Sequence, residues 1–306
     1  MAYGAPFPVS EHGALMQRTA WAAIAVALVL ILIKLVAYLI SDSIAMLASL
    51  ADSAVDVFAS AINLIAIRHA LTPADAEHRF GHGKAEPLAG LMQAAFIAGS
   101  VAFLAIESTS RLIEPHPIAD PGIALGAIAV SIVLLLMLLV IQQITIRRTG
   151  SIAIHADHMH YAGDLLSSLG VVVGVVLSSR FGWQKADPVV GLIISLVLAL
   201  SAMQVFRQSY DQLMDRELPD GDRVRIREIV MAHKDVTELH DLRTRMAGVH
   251  TFIQLHIELD PAMSLTRAHA VSDAVEADLL QAFPRAEVII HQDPAGLEEL
   301  PPFGPG

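Results

Sequence analysis

Long runs of apolar residues separated by short polar breaks fill the chain from residue 18 to about residue 208, after which the pattern changes character. Crossing the hydrocarbon takes roughly 20 apolar residues in helical form. Six segments meet that length: 18–40, 44–69, 87–113, 121–146, 151–180 and 187–208. An even number of spans places both termini on one side of the membrane. Basic residues follow the second, fourth and sixth segments (Arg68, Arg79 and Lys84; Arg147 and Arg148; Arg207 and Arg216), while the opposite loops hold chiefly Arg111, Arg180 and Lys185. The excess predicts cytoplasmic termini. The second and fifth segments differ from the rest because Asp and His lie well inside them, which a lipid-facing surface does not tolerate, so both are expected to face the bundle interior. Small residues in the third segment (Gly90, Ala94, Ala98, Ala102) and the fifth (Gly163, Gly170, Gly174) permit close helix contact.

Beyond Leu218, a Pro-Asp-Gly turn opens an amphipathic helix over 224–233, followed by alternating runs at 238–245 and 251–259 that read as paired strands. A second helix over 265–283 and a last strand over 287–291 complete an αββαβ order. That order predicts a two-layer α+β domain with its helices on one sheet face. The expected organisation is a leader (1–17), a six-helix transmembrane domain (18–210), an α+β domain (211–293) and a disordered Pro- and Gly-rich tail (294–306).

Composition sharpens this picture. With 54% hydrophobic and only 17% charged residues among 306, the apolar surface needs a bilayer to hide it. The first apolar run is long and follows a polar leader, unlike a cleaved signal peptide, and is expected to remain as a membrane anchor. A net charge of -11 argues against nucleic acid as a partner. With no cysteine, any metal must be held by imidazole nitrogen or carboxylate oxygen.

Those ligand types occur in pairs. ASLADSAVD places Asp52 and Asp56 four residues apart, on one helix face, and HYAGD does the same for His160 and Asp164. Two such helices face to face present one nitrogen and three oxygens to a common point, a tetrahedral set that suits Zn²⁺ and also accepts Fe²⁺, Cd²⁺ or Co²⁺. A lone intramembrane Asp reads equally well as a packing or proton-relay residue; two i,i+4 pairs favour a shared cation. A metal-free cluster of three carboxylates and an imidazole cannot keep every charge, so protons are expected to enter as the cation leaves, with His160 the obvious carrier. Metal/proton antiport is the chemically economical mechanism. In the loop after the second segment, Asp75, His78 and His82 lie among Pro73, Gly81 and Gly83, a chain irregular enough to bring them together. Spacing alone reads as readily as a solvated polar loop. In the α+β domain, His240 and His256 lie on neighbouring strands, His269 on the second helix, and His291 and Asp293 at the end of the last strand. Convergence is possible because adjacent strands run about 4.8 Å apart.

Together with PADAEHRFGHGKAE, HDLRTR, IQLHIE and IIHQDP, these motifs make the chain resemble the cation diffusion facilitators over nearly its whole length, most closely their bacterial zinc and ferrous-iron efflux branch. The resemblance implies a homodimer in the inner membrane, six transmembrane helices, a cytosolic ferredoxin-like α+β domain, and proton-coupled efflux by alternating access. It implies that Asp52, Asp56, His160 and Asp164 form the transport site, with Asp164 sharing the proton coupling, and that Asp75, His78 and His82 form a second metal site. It implies a binuclear regulatory zinc site in the cytosolic domain, with Gln292 an added ligand.

A membrane-bound metal hydrolase fits less well, since four protein ligands leave no position for water and no HExxH, GxSxG or GxxxxGK[ST] motif is present. The chain is therefore expected not to be an enzyme. A membrane-anchored metal sensor is the alternative, but an anchor has no need of buried charge. His155, Asp157 and His158 are expected to form a polar cap at the start of the fifth helix, with a metal-entry vestibule the other reading. Lys34 is expected to snorkel to the outer interface, Glu107 and Arg111 to pair at i,i+4, and His116 to be solvated. His233 and His250 match no ligand of the family.

Overall fold

A computed structural model describes residues 11–41, 44–113, 121–183 and 185–296. It divides into two compact units, 1–211 and 212–306.

Among the described residues, the first unit is a bundle of six long helices: α1 (Glu11–Ser41), α2 (Ile44–Ala70), α3 (Ala85–Ile113), α4 (Pro121–Thr149), α5 (Ile152–Phe181) and α6 (Ala186–Leu213). Four of them, α1, α3, α4 and α6, are apolar and long enough to cross a membrane by composition alone. The other two, α2 and α5, carry the acidic residues and histidines that the hydropathy pattern singled out. Their Asp56, Asp157 and His160 turn inward, whereas large apolar side chains such as Leu39, Phe103, Val133 and Leu200 stand outward on the bundle surface. An apolar exterior around a polar interior is the arrangement hydrocarbon requires. Several helices overrun the apolar segments: α1 begins at Glu11 and α6 continues to Leu213. Polar residues at the interface end an apolar run without ending a helix, so hydropathy marks only the part that meets lipid.

Close approach occurs where small residues recur. A Cβ placed on Gly170 would fall 2.3 Å from Ile194 Cδ1, and one on Gly174 would fall 2.9 Å from the backbone Cα of Asp187, so α5 and α6 touch along this seam. Gly90 approaches Ser209 in the same way, bringing α3 against α6. Across the bundle, Tyr161, Leu135 and Leu138 pack on Ala23, Val26 and Leu30, joining α5 and α4 to α1. Buried hydroxyls Thr19 and Thr145 add a 2.7 Å hydrogen bond between α1 and α4, and Arg111 pairs with Glu107 at 2.7 Å.

The second unit contains α7 (Asp220–Met231), β1 (Glu238–Ala247), β2 (His250–Leu259), α8 (Leu265–Ala282) and β3 (Ala286–Pro294), the αββαβ order expected. β1 and β2 are antiparallel, β2 and β3 parallel, and β2 is central. Ile253, Leu255 and Ile257 alternate inward from β2 onto Val230, Val275 and Leu279 of the two helices. The intervening positions of the sheet, His256 among them, look to its other face. β3 extends to Pro294, where a disordered tail was expected to begin, and Ala295 still donates a hydrogen bond to the Leu259 carbonyl. Most of that tail (297–306), the first ten residues and His116 lie outside the described residues.

Gly174→Ala is expected to destabilise the bundle by about 1–3 kcal/mol, because the added methyl meets backbone that cannot swing aside. Gly99→Ala, with open space at its Cβ, is expected to be neutral or stabilising. Thermal unfolding of the two variants in detergent checks both.

Candidate metal centres

The placement of α5 sets the position of everything it carries. Gly150 ends α4 with a left-handed φ of 69°, and its N–H bonds to the Ile146 carbonyl at 2.8 Å. Ser151 follows as N-cap, its Oγ accepting from the backbone N–H of Ile154 at 3.3 Å and donating to the buried carboxylate of Glu86 on α3. These contacts supply the polar cap expected of His155, Asp157 and His158. Those three lie a turn further in, where the helix satisfies its own backbone. His155 and His158 are half-buried, each with one sheltered ring nitrogen lacking a hydrogen bond, and Asp157 is buried. Asp157 Oδ2 accepts a 2.8 Å bond from Gln142 Nε2, while Asp157 Oδ1 and Gln142 Oε1 have no hydrogen-bond partner.

One turn beyond Asp157, His160 meets α2. Its Nε2 lies 3.0 Å from Asp56 Oδ1 and 3.7 Å from Asp164 Oδ2, with His160 and Asp56 only 5% and 6% exposed. Asp56, His160 and Asp164 each offer a ligand atom within 4.8 Å of the others. Asp52, one turn from Asp56 on the same helix, is exposed and outside this group. Next to the cluster, Tyr161 is fully buried, and its hydroxyl shares a 2.6 Å hydrogen bond with Ser60, joining α5 to α2 again.

The loop between α2 and α3 forms a second cluster. Asp75 Oδ1 lies 3.3 Å from His78 Nδ1, and Asp75 Oδ2 lies 3.4 Å from His82 Nε2. The backbone N–H groups of His78 (2.6 Å) and Glu77 (2.9 Å) also bond to Asp75 Oδ1. The hydrogen bond from His78, foremost, holds the Asp75 carboxyl below the usual carboxylate range. Its ionised form, the one a cation needs, therefore persists to lower pH than in an unstructured chain. Sequence reasoning missed His69, at the end of α2, whose ring lies 4.5 Å from that of His82. Its position on a helix, outside the loop motif, gave no signal.

On the sheet of the second unit, strand register aligns three histidines in a row: His240 pairs with His256, and His256 with His291. Asp293 joins them. Its Oδ2 lies 2.9 Å from His256 Nδ1 and 3.4 Å from His240 Nε2, and its Oδ1 lies 3.0 Å from His291 Nε2. Gln292 points the other way, as strand alternation demands, and its Nε2 donates to Ser272 Oγ of α8 at 2.8 Å. His269, also on α8, is exposed beside Asp273. In the single chain, neither joins the histidine row. His233 lies 3.0 Å from Asp278, away from all three clusters.

Comparisons with known proteins agree with this architecture. A family model described as the cation efflux transmembrane domain matches residues 20–214, and one described as the cation efflux protein cytoplasmic domain matches 218–295. The chain belongs to the cation diffusion facilitator family. Its similar proteins include the cation-efflux pumps FieF of Salmonella newport and Salmonella typhimurium, each 42% identical over 286 residues, which cover 94% of this chain and 95% of each relative. Among solved structures, the metal-bound C-terminal domain of the CzcD transporter from Thermotoga maritima is 28% identical (TM-score 0.24), covering 26% of this chain and 96% of that one. The cytosolic domain of a cation diffusion facilitator family protein is also 28% identical (TM-score 0.24), covering 25% and 93%. This family member is a membrane-embedded cation-efflux transporter and not an enzyme.

Gln142→Leu removes the donor to a buried carboxylate and is expected to cost about 1–3 kcal/mol, as is usual when a buried polar group loses its partner. Adding Asp157→Asn in the same chain should recover part of that loss, because an amide is cheaper than a carboxylate to leave unpaired. Unfolding midpoints of the two single variants and the double variant check the coupling.

Proposed function

We propose that the chain exports a divalent transition metal, Zn²⁺ foremost and Fe²⁺, Cd²⁺ or Co²⁺ as further substrates, across the bacterial inner membrane in exchange for protons. The observation that supports this most is the convergence of Asp56, His160 and Asp164 inside the bundle, with ligand atoms within 4.8 Å of one another on helices otherwise surrounded by apolar surface. Asp52, on the same face of α2, supplies the fourth ligand. One imidazole nitrogen and three carboxylate oxygens suit tetrahedral Zn²⁺, and the imidazole disfavours the hard cations Mg²⁺ and Mn²⁺.

The same groups provide the exchange. Three carboxylates and an imidazole, deprived of their cation, repel one another in a medium of low dielectric, and protons on His160 and Asp164 relieve that repulsion. Metal entering from one side displaces the protons, and protons entering from the other displace the metal. Alternating access keeps the two events on opposite sides of the membrane. Both termini and the second unit lie in the cytoplasm under this proposal, and the working form is a homodimer.

Asp75, His78 and His82 form a weaker loop site, because solvent already hydrates the exposed Asp75 and His78 and a cation gains less by replacing it. In the cytosolic unit, His240, His256 and Asp293 offer ligand atoms within 4.8 Å, with His291 on the second oxygen of Asp293. Two or three imidazoles and a carboxylate fit zinc chemistry. When bound there, the metal would lock the three strands together and stabilise the dimer in response to cytosolic metal.

Flux into proteoliposomes, measured with Zn²⁺, Fe²⁺, Cd²⁺ and Co²⁺ in turn and with and without an imposed pH gradient, tests the proposal. Wild-type protein is expected to move Zn²⁺ faster when protons can flow the other way. Asp164→Ala is expected to lose about 100-fold in rate, the upper end of what removing even an outer-shell partner of a metal ligand costs. Flux indifferent to the gradient would sink antiport, and equal flux in both proteins would sink the site.

A further inference from the structure

Lys34 has no part in the chemistry above, yet it is the only charged residue of α1 between Trp21 and Ser41. Its long apolar stem would let the ammonium snorkel to the outer interface, as the sequence suggested. It turns to α2 instead, where Nζ donates a 2.6 Å hydrogen bond to Ser53 Oγ. Ser53 is 1% exposed, follows Asp52 directly and shares a helix face with Asp56 three residues on. The ammonium also lies near enough to Asp52 and Asp164 to interact with both carboxylates. A hydroxyl alone does little to offset the desolvation of a cation at bilayer depth, whereas nearby carboxylates do.

We infer that Lys34 is a fixed counter-charge of the transport site, one that lets three carboxylates hold a single divalent cation with no net charge left over among these groups. The inference rests on the proposed assignment of Asp52, Asp56, His160 and Asp164. With the imidazole ligating as the neutral base, three carboxylates and a divalent cation leave one negative charge. The Lys34 ammonium cancels it. Without that ammonium, one carboxylate must either remain uncompensated in low dielectric or take up a proton, and a protonated carboxylate is a poor ligand. A monovalent cation leaves the complete set one charge short of neutrality, so Lys34 also favours a doubly charged cargo. Ser53 is a positioning residue that keeps the ammonium beside α2 and away from the interface.

The test uses full-length protein in proteoliposomes, with Zn²⁺ uptake measured against Zn²⁺ concentration at one fixed pH gradient. The proteins compared are wild type, Asp164→Ala, Lys34→Arg, Lys34→Gln and Lys34→Met. Replacing a charged residue by an uncharged one eases insertion of a membrane helix, so the Gln and Met proteins are expected to fold. Both should raise KM about tenfold or more while maximal flux stays within about twofold of wild type, and Arg should restore KM to within about threefold. Gln can still hydrogen-bond to Ser53. A wild-type KM in the Gln protein would therefore reduce Lys34 to a helix-pairing contact and overturn the inference, as would a loss confined to maximal flux. Wild-type flux that survives in Asp164→Ala would instead overturn the site assignment beneath it.

Discussion

A charge held in hydrocarbon must be partnered, and in this chain the pairing of His160 with Asp56 across 3.0 Å is where that demand is met. The two residues come from α2 and α5, the helices that carry acidic residues and histidines well inside their length. Neither α2 nor α5 could stand against lipid on the face that carries them. Their contact therefore satisfies polar groups on both helices at once. Hydrophobic matching to lipid organises the outside of such a bundle, but it cannot bring one helix to another, since lipid tails are as apolar as the side chains they would displace.

Close backbone packing supplies what apolar burial cannot. Gly163, Gly170 and Gly174 let α6 settle against α5, so that Leu198, Ile194 and Asp187 lie where a β-carbon would otherwise be. The start of α5 is held by Ser151 and Glu86, and the Asp157–Gln142 bond ties its second turn to α4. A helix fixed by polar contacts at one end and by close backbone contact along its length has little freedom to rotate. His160 and Asp164, one turn apart on that helix, inherit its precision. Any change of access must therefore move packed helices as bodies, sliding along small-residue seams that have few protrusions to interlock.

The spans, their count, the αββαβ order and the inward-facing polar helices were legible in the sequence because each follows from a one-dimensional period or length. Convergence of Asp56, His160 and Asp164 was legible too, since i,i+4 spacing fixes a face and the cost of buried charge fixes its direction. What could not be read depended on contacts between segments distant in sequence. Lys34 looked like a snorkelling residue because its partner, Ser53, lies on another helix, and nothing in a hydropathy profile says which hydroxyl an ammonium will meet. Ser151 was passed over as a cap because more conspicuous histidines followed it. Gln292, which the resemblance alone offered as an added ligand, sits between His291 and Asp293, and strand alternation sends its side chain to the opposite face, onto Ser272.

The three clusters use the same two functional groups at different degrees of burial, and this alone is enough to separate what each can do. In the loop, Asp75 and His78 are open to solvent, so a cation arriving there exchanges one hydrated environment for another and can leave as readily. On the cytosolic sheet, the Asp293 side chain is 10% exposed while the imidazoles around it remain partly open. Such a site can hold an ion more firmly and still equilibrate with the cytosol. Inside the bundle, His160 and Asp56 are almost wholly sheltered, and every electrostatic contact there is stronger in both directions: attraction to a bound cation, and repulsion among the ligands once it has gone. Only the last environment makes the empty state costly enough to demand protons. The proposed coupling of metal to protons thus fits the cluster buried in the bundle, and the same ligand set would act as a simple chelator anywhere nearer to water.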